Sequence, residues 1–366
     1  MAGFIMIPMM LAGLIFIIAL IYPVIISKPT YQTFEHRWNK IVKPTIGGTF
    51  FLIAVIVWAI WSLLVMDSKQ DKFHLLSVAI ASALAFLVGF IDDRFGTAPF
   101  PKLLGQVFVA TVLLSGGWIL PLSGIPLIDS TFTLIWIVAL QNAYNFFDNM
   151  DGVAGTVAII LFLFMIFVPI GFIYKFLFLF LSVALLGFLF HNFPPSRIYM
   201  GDKGSLLLGT VASITPMLLC QSGCAHLNWI EKFFLFTSFV GLPVIDIILV
   251  VIHRLCRKTP PWVGGTDHLS HSFHSLLGSE RKVVIIFAIL QVLFVASAGI
   301  SLRFGNFILS VGTVVIWLFM FLVLFVVHWR YVPEPYNSLC YKHTSGKLPP
   351  LLRRLLMRCE GRGHPA

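Results

Sequence analysis

The sequence predicts an all-α, polytopic integral membrane protein of about eleven transmembrane helices, with the N-terminus outside and the C-terminus inside. Three observations predict it. Hydrophobic residues make up 58% of the 366 positions against 11% charged, and the mean hydropathy is +0.95, which leaves too little polar surface to solvate a water-soluble domain. Apolar runs of about 20 residues, enough to cross roughly 30 Å of hydrocarbon at 1.5 Å per residue, recur along most of the chain. The cations are spread unevenly between alternate connecting segments.

In chain order the runs fall near 4–27, 46–66, 74–91, 103–120, 131–147, 154–172, 174–190, 205–221, 232–253, 283–301 and 304–328. The first ends in a polar, basic segment instead of a small-residue cleavage site, so a retained helix is expected and not a cleaved leader. The sixth and seventh are parted only around Gly171–Lys175, and if fused they reduce the count to ten. Residues 1–328 then form the membrane-embedded domain, and 329–366 form a basic cytoplasmic tail carrying Arg330, Lys342, Lys347, Arg353, Arg354, Arg358 and Arg362.

With the N-terminus outside, the inside segments are 28–45, 92–102, 142–153, 191–204, 254–282 and 329–366. Only Lys69, Lys72, Lys175, Lys232 and Arg303 fall elsewhere, so 20 of the 25 Lys and Arg residues lie inside, as the positive-inside rule requires. This topology accounts for the net charge of +10 without a nucleic-acid partner. Of the five cysteines, Cys256, Cys340 and Cys359 fall in inside segments where thiols stay reduced, and Cys220 and Cys224 are too few for a metal site.

Four polar clusters fall on the inside segments. Asp92 and Asp93 close the third run and are followed by Lys102; adjacent carboxylates on a helix point in different directions, so one can address a metal or substrate while the other orients it. Asn145, Asp148 and Asp151 recur every third residue, as on one helix face, and suit a hard cation or a nucleobase edge. His191 to Ser205 contains a Pro-Pro break and a Gly-Asp-Lys-Gly-Ser helix start, a natural seat for phosphate or metal-phosphate. Asp267, His268 and His271 lie in the longest inside loop with Arg254, Arg257 and Lys258, a set that fits a diphosphate better than zinc. Taken singly, the four clusters also fit, in order, a solvated helix end, a polar interhelix loop, a capped turn and a structural His pair. The helix interiors hold few charges, Asp246 being the main exception, which points to an enzyme at one interface over a transporter with midplane sites.

In this order and on one face, the four clusters resemble the polyprenyl-phosphate N-acetylhexosamine-1-phosphate transferase family, glycosyl transferase family 4, over about Lys40 to His271. The resemblance implies transfer of N-acetylhexosamine-1-phosphate, by default GlcNAc-1-phosphate, from a UDP-sugar to undecaprenyl phosphate with release of UMP. Such a step would initiate a cell-surface polysaccharide such as O-antigen, at the cytoplasmic face of the bacterial inner membrane. It implies that Lys40 reaches the nucleotide, that Asp92 and Asp93 act at the lipid phosphate as base or nucleophile, and that Asn145, Asp148 and Asp151 form a uridine and metal site. It further implies Asn192 at the substrate, Asp202 as a ligand of Mg2+, for which Mn2+ can substitute, and Asp267, His268 and His271 at the diphosphate. The partners implied are UDP-N-acetylhexosamine, undecaprenyl phosphate, membrane lipid and, in a homodimer, a second copy of the chain.

Two departures stand out. The peptidoglycan enzymes carry a His-His-His-Phe-Glu-type run where this chain reads Asp267-His268-Leu269-Ser270-His271, which argues against a peptide-bearing sugar. Asn149 stands where the family's metal motif commonly has glycine. The competing readings are a transporter or flippase of an anionic polyprenyl lipid, which would release no UMP, and a prenyl diphosphate phosphatase, which would release inorganic phosphate.

Overall fold

A computed structural model describes residues 2–25, 43–222, 227–304 and 307–333. Among them every regular element is a helix: α1 (Ala2–Ile25), α2 (Gly47–Val65), α3 (Lys69–Phe95), α4 (Pro99–Ser115), α5 (Pro126–Phe147), α6 (Val153–Phe167), α7 (Phe172–Asn192), α8 (Asp202–Ser222), α9 (Trp229–Phe239), α10 (Gly241–Cys256), α11 (Leu269–Leu277), α12 (Glu280–Phe304) and α13 (Phe307–Tyr331). Lys40, the tail from residue 334, and Cys224, Cys340 and Cys359 lie outside the described residues.

The sixth and seventh runs are separate helices, α6 and α7, parted at Val168–Gly171. The run at 232–253 is the exception to a one-to-one match: it divides into α9 and α10, which meet at 95° around Val240. Among the described residues seven helices are long and apolar enough to cross a membrane, or eight with the bent pair as one span. The shortfall from eleven has a physical cause. At 1.5 Å per residue α6, with 15 residues, reaches only about 22 Å and α4 little more, so both need flanking segments to reach across roughly 30 Å of hydrocarbon.

The hub is α8, nearly all of it buried, against which α2, α3, α5 and α6 pack. A second group, α9 to α13, joins the first where α10 meets α5 and α12 meets α6. Apolar side chains such as Ile285, Ile289, Leu293, Phe319 and Leu322 face outward, the surface a bilayer would solvate. At the end remote from the polar clusters, Asp129 accepts hydrogen bonds from the backbone N–H groups of Leu122, Ser123 and Gly124 and so closes the α4–α5 loop.

Glycine sets the closest helix approach. A Cβ on Gly89 of α3 would overlap the backbone of Asp202 and Lys203 at the start of α8. Gly89→Ala should therefore force these helices apart, cost about 1–3 kcal/mol as overpacking, and displace Asp202. A variant with a wild-type melting temperature and unchanged activity would show that the contact yields without consequence.

Candidate active site

Two loops and four helix ends build the polar end of the bundle. Asp92 and Asp93 lie in the last turn of α3, Lys102 in the first turn of α4, Asn145 in the last turn of α5 and Asp202 at the first position of α8. Lys102 Nζ donates to Asp92 Oδ2 at 2.8 Å, to Asp202 Oδ2 at 2.5 Å and to Asn145 Oδ1 at 3.1 Å. Three of the four sequence clusters thus converge on one ammonium. Asn145 Nδ2 also donates to Ser205 Oγ at 3.0 Å, and the Thr97 backbone and hydroxyl donate to Asp92 Oδ1.

The two neighbouring aspartates diverge, as adjacent helical positions must. Asp92 faces Lys102, while Asp93 is buried and accepts from the backbone N–H of Asp202 at 2.9 Å and of Lys203 at 3.5 Å. An acid placed there satisfies otherwise unpaired N–H groups and complements the positive end of α8. Gly201, with φ of 75°, makes room: a Cβ there would stand 2.6 Å from Asp93 Oδ2.

The expected single face of Asn145, Asp148 and Asp151 is not kept. Helix α5 stops at Phe147, Asp148 is its C-cap, and the chain turns through Gly152 at φ of 78° into α6. Only Asn145 therefore faces Lys102. Asp151 instead accepts from Lys43 Nζ at 3.4 Å and from the Ser196 backbone at 3.2 Å, while Lys43 also donates to Ser196 Oγ at 2.9 Å and lies over the Tyr199 ring. Asn192 is consumed by backbone: it accepts from Gly152 N–H at 2.9 Å and donates to the Ile198 carbonyl at 2.8 Å, docking the 193–201 loop on the α5–α6 turn.

The long loop after α10 is latched from within. Arg254 makes a two-pronged pair with Asp267 at 2.7 and 2.8 Å, donates to the Pro261 carbonyl at 2.6 Å and lies over the Phe146 ring. Burial pushes the Asp267 carboxyl up, but the Arg254 hydrogen bonds and charge outweigh it and hold it at about 2. Ser270 donates to Asn149 Oδ1, which ties the loop to the α5–α6 turn. Burial, reinforced by the neighbouring His268, lowers the His271 imidazole to about 3, so this ring is neutral at physiological pH.

Asn145, Asp92 and Asp202 direct oxygens at one cation, an all-oxygen donor set of the kind Mg2+ takes together with substrate phosphates. Among the described residues no three His, Cys, Asp or Glu side chains form a closed metal cage. Mg2+ needs none, because it commonly uses one or two carboxylates and keeps waters.

Lys102, Lys43 and Asp246 are organising residues to which the sequence patterns assigned no role, and Arg254, expected among the cations at the diphosphate, instead pairs with Asp267. For Asp246 the available signal was a lone charge in an apolar run; for Lys102 it was only nearness to the aspartate pair.

A family model described as glycosyl transferase family 4 matches residues 75–220, from α3 to α8, and so contains Asp92, Lys102, Asn145 and Asp202. The chain is 25% identical over 310 residues to a probable undecaprenyl-phosphate N-acetylglucosaminyl 1-phosphate transferase of Bacillus subtilis, covering 81% of each. It is 29% identical over 301 residues to a phospho-N-acetylmuramoyl-pentapeptide-transferase of Carboxydothermus hydrogenoformans, covering 73% of this chain and 87% of the relative. It is also 29% identical over 239 residues to a decaprenyl-phosphate N-acetylglucosaminephosphotransferase of Mycobacterium tuberculosis, covering 57% of this chain and 59% of that one. With the polar residues of three separate segments gathered on Lys102 at one end of a membrane bundle, these likenesses support a phosphosugar transferase that is similar, from α3 to α8, to glycosyl transferase family 4.

Proposed function

We propose that this chain transfers N-acetylhexosamine-1-phosphate, with N-acetylglucosamine as the default sugar, from a UDP-sugar to undecaprenyl phosphate, releasing UMP. The reaction takes place at the cytoplasmic face of the inner membrane and starts a cell-surface polysaccharide. The observation that carries the reading is Lys102 Nζ held between Asp92, Asn145 and Asp202. The B. subtilis relative supports the sugar and the lipid carrier.

In the reaction an oxygen of the lipid phosphate attacks the sugar-bearing phosphorus of the donor. That P–O bond forms as the bond to UMP breaks, and UMP leaves with the electron pair. Both substrates are anions whose mutual repulsion in a partly desolvated site would amount to several kcal/mol. Lys102 offsets this charge, and Asp92, fixed by Lys102 and Thr97, orients the attacking phosphate or accepts its proton. Asp202, with Asn145 and Asp92 beside it, would hold Mg2+, which when bound would neutralise the diphosphate as charge develops on UMP. Lys43 and Asp151 shape the donor side, and the Arg254 latch keeps His268 and His271 at the diphosphate.

The test is UMP release by detergent-purified protein from a panel of UDP-N-acetylhexosamines, with undecaprenyl phosphate and Mg2+ supplied or withheld. UMP that needs one donor, the lipid and the metal together is the expected result. Release of inorganic phosphate instead, or no product from any donor, would overturn the assignment.

A further inference from the structure

Asp246 is fully buried in the second turn of α10, a charge in an otherwise apolar stretch, and the reaction outlined above makes no use of it. Its two carboxylate oxygens are both engaged. Oδ1 accepts from the Leu269 backbone N–H at 2.7 Å, and Oδ2 lies 2.9 Å from His268 Nδ1. His268 is the N-cap of α11 but caps nothing with its own side chain, so Asp246 supplies the acceptor for that helix start from another helix. A carboxylate only accepts, which places the ring proton of His268 on Nδ1 and leaves Nε2 as its second polar atom.

The rest of the ring's surroundings are equally fixed. Ser272 Oγ donates to the His268 carbonyl at 3.2 Å and lies 3.2 Å from His328 Nδ1 on α13. Phe146 of α5 meets the ring edge to face, and His271 lies alongside. The charged and titratable groups around His268 are thus Asp246 from α10, Asp267 from the loop, His271 from α11 and His328 from α13. Of these, Asp246 meets the His268 ring in a hydrogen bond at Nδ1. The 95° bend between α9 and α10 sets the direction of the helix that carries Asp246.

We propose that Asp246 is a positioning residue that fixes the orientation and tautomer of His268, so that Nε2 is presented to the diphosphate of the donor. The proposal rests on the phosphosugar transfer described above, where His268 touches that diphosphate. A buried partner of this kind sets ring orientation much as carboxylates do behind metal-bound histidines, where its loss costs about 10–100-fold.

The first readout needs no turnover: in protein labelled with 15N-histidine, the His268 resonances, assigned by their loss in His268→Gln, should show Nδ1 protonated. A neutral ring protonated on Nε2 would overturn the proposal. The second is kinetic: Asp246→Asn should lower kcat for UMP release about 10–100-fold, yet add almost nothing in a His268→Ala background. An equal loss in both backgrounds would make Asp246 merely structural and overturn the proposal. If wild-type protein releases no UMP from any donor, the reaction assignment fails, while the resonance measurement still decides the pair.

Discussion

Asp202→Ala should reduce UMP release by about 10²–10³-fold while leaving the protein folded. Asp202 begins α8, and its carboxylate is one of the two acids held by Lys102, so the substitution removes the proposed metal ligand together with half of the charge that positions Lys102. The start of α8 should survive, because its N–H groups are capped by Asp93 and not by the Asp202 side chain. The loss should therefore appear in kcat at saturating Mg2+, with a near-normal melting temperature. Residual activity within about two-fold of wild type would remove Asp202 from the metal role.

Lys102→Met should have the second largest effect and a different character. It leaves the Asp92 and Asp202 carboxylates and the Asn145 carbonyl without the cation they share. The Lys102 and Asp92 side chains are 15% and 16% exposed, whereas Asp202 is 32% exposed, so solvent screening moderates the penalty. A cost of about 3 kcal/mol, the lower end for breaking a buried pair, is expected alongside loss of UMP release. Adding Asp202→Asn to Lys102→Met should recover part of the melting temperature, since it removes one of the two uncompensated charges, but it should not restore activity. A Lys102→Met protein that melts with the wild type would show that the bridge contributes no net stability.

Much of the architecture was legible in the chain because helix formation and membrane partitioning are local free energies, set by each segment of about 20 residues. The separation of α6 from α7 could be read from Gly171 and its neighbours, and the helix break after Asn192 from Pro194 and Pro195. The divergence of Asp92 and Asp93 was likewise implied, since neighbouring helical side chains cannot share a direction. The bend between α9 and α10 was not legible, because residues 232–253 read as one apolar run interrupted only by Asp246. Nor was the split of the Asn145–Asp151 set, in which a spacing of three promised one helix face while the chain turned at Asp148.

What the sequence determined by itself was the helical class, the placement of polar residues at helix ends, and the identity of four clusters with the chemistry of phosphate and hard cations. What only the tertiary structure decided was which atoms meet. Lys102 and Asp202 are 100 positions apart, Lys43 and Ser196 are 153 apart, and Asp246 and His268 sit on either side of a long loop. Such pairings depend on how closely α3 and α8 approach at Gly89 and on the angle at which α10 leaves α9. Those are properties of packed helices, and neither hydropathy nor spacing within one segment carries them.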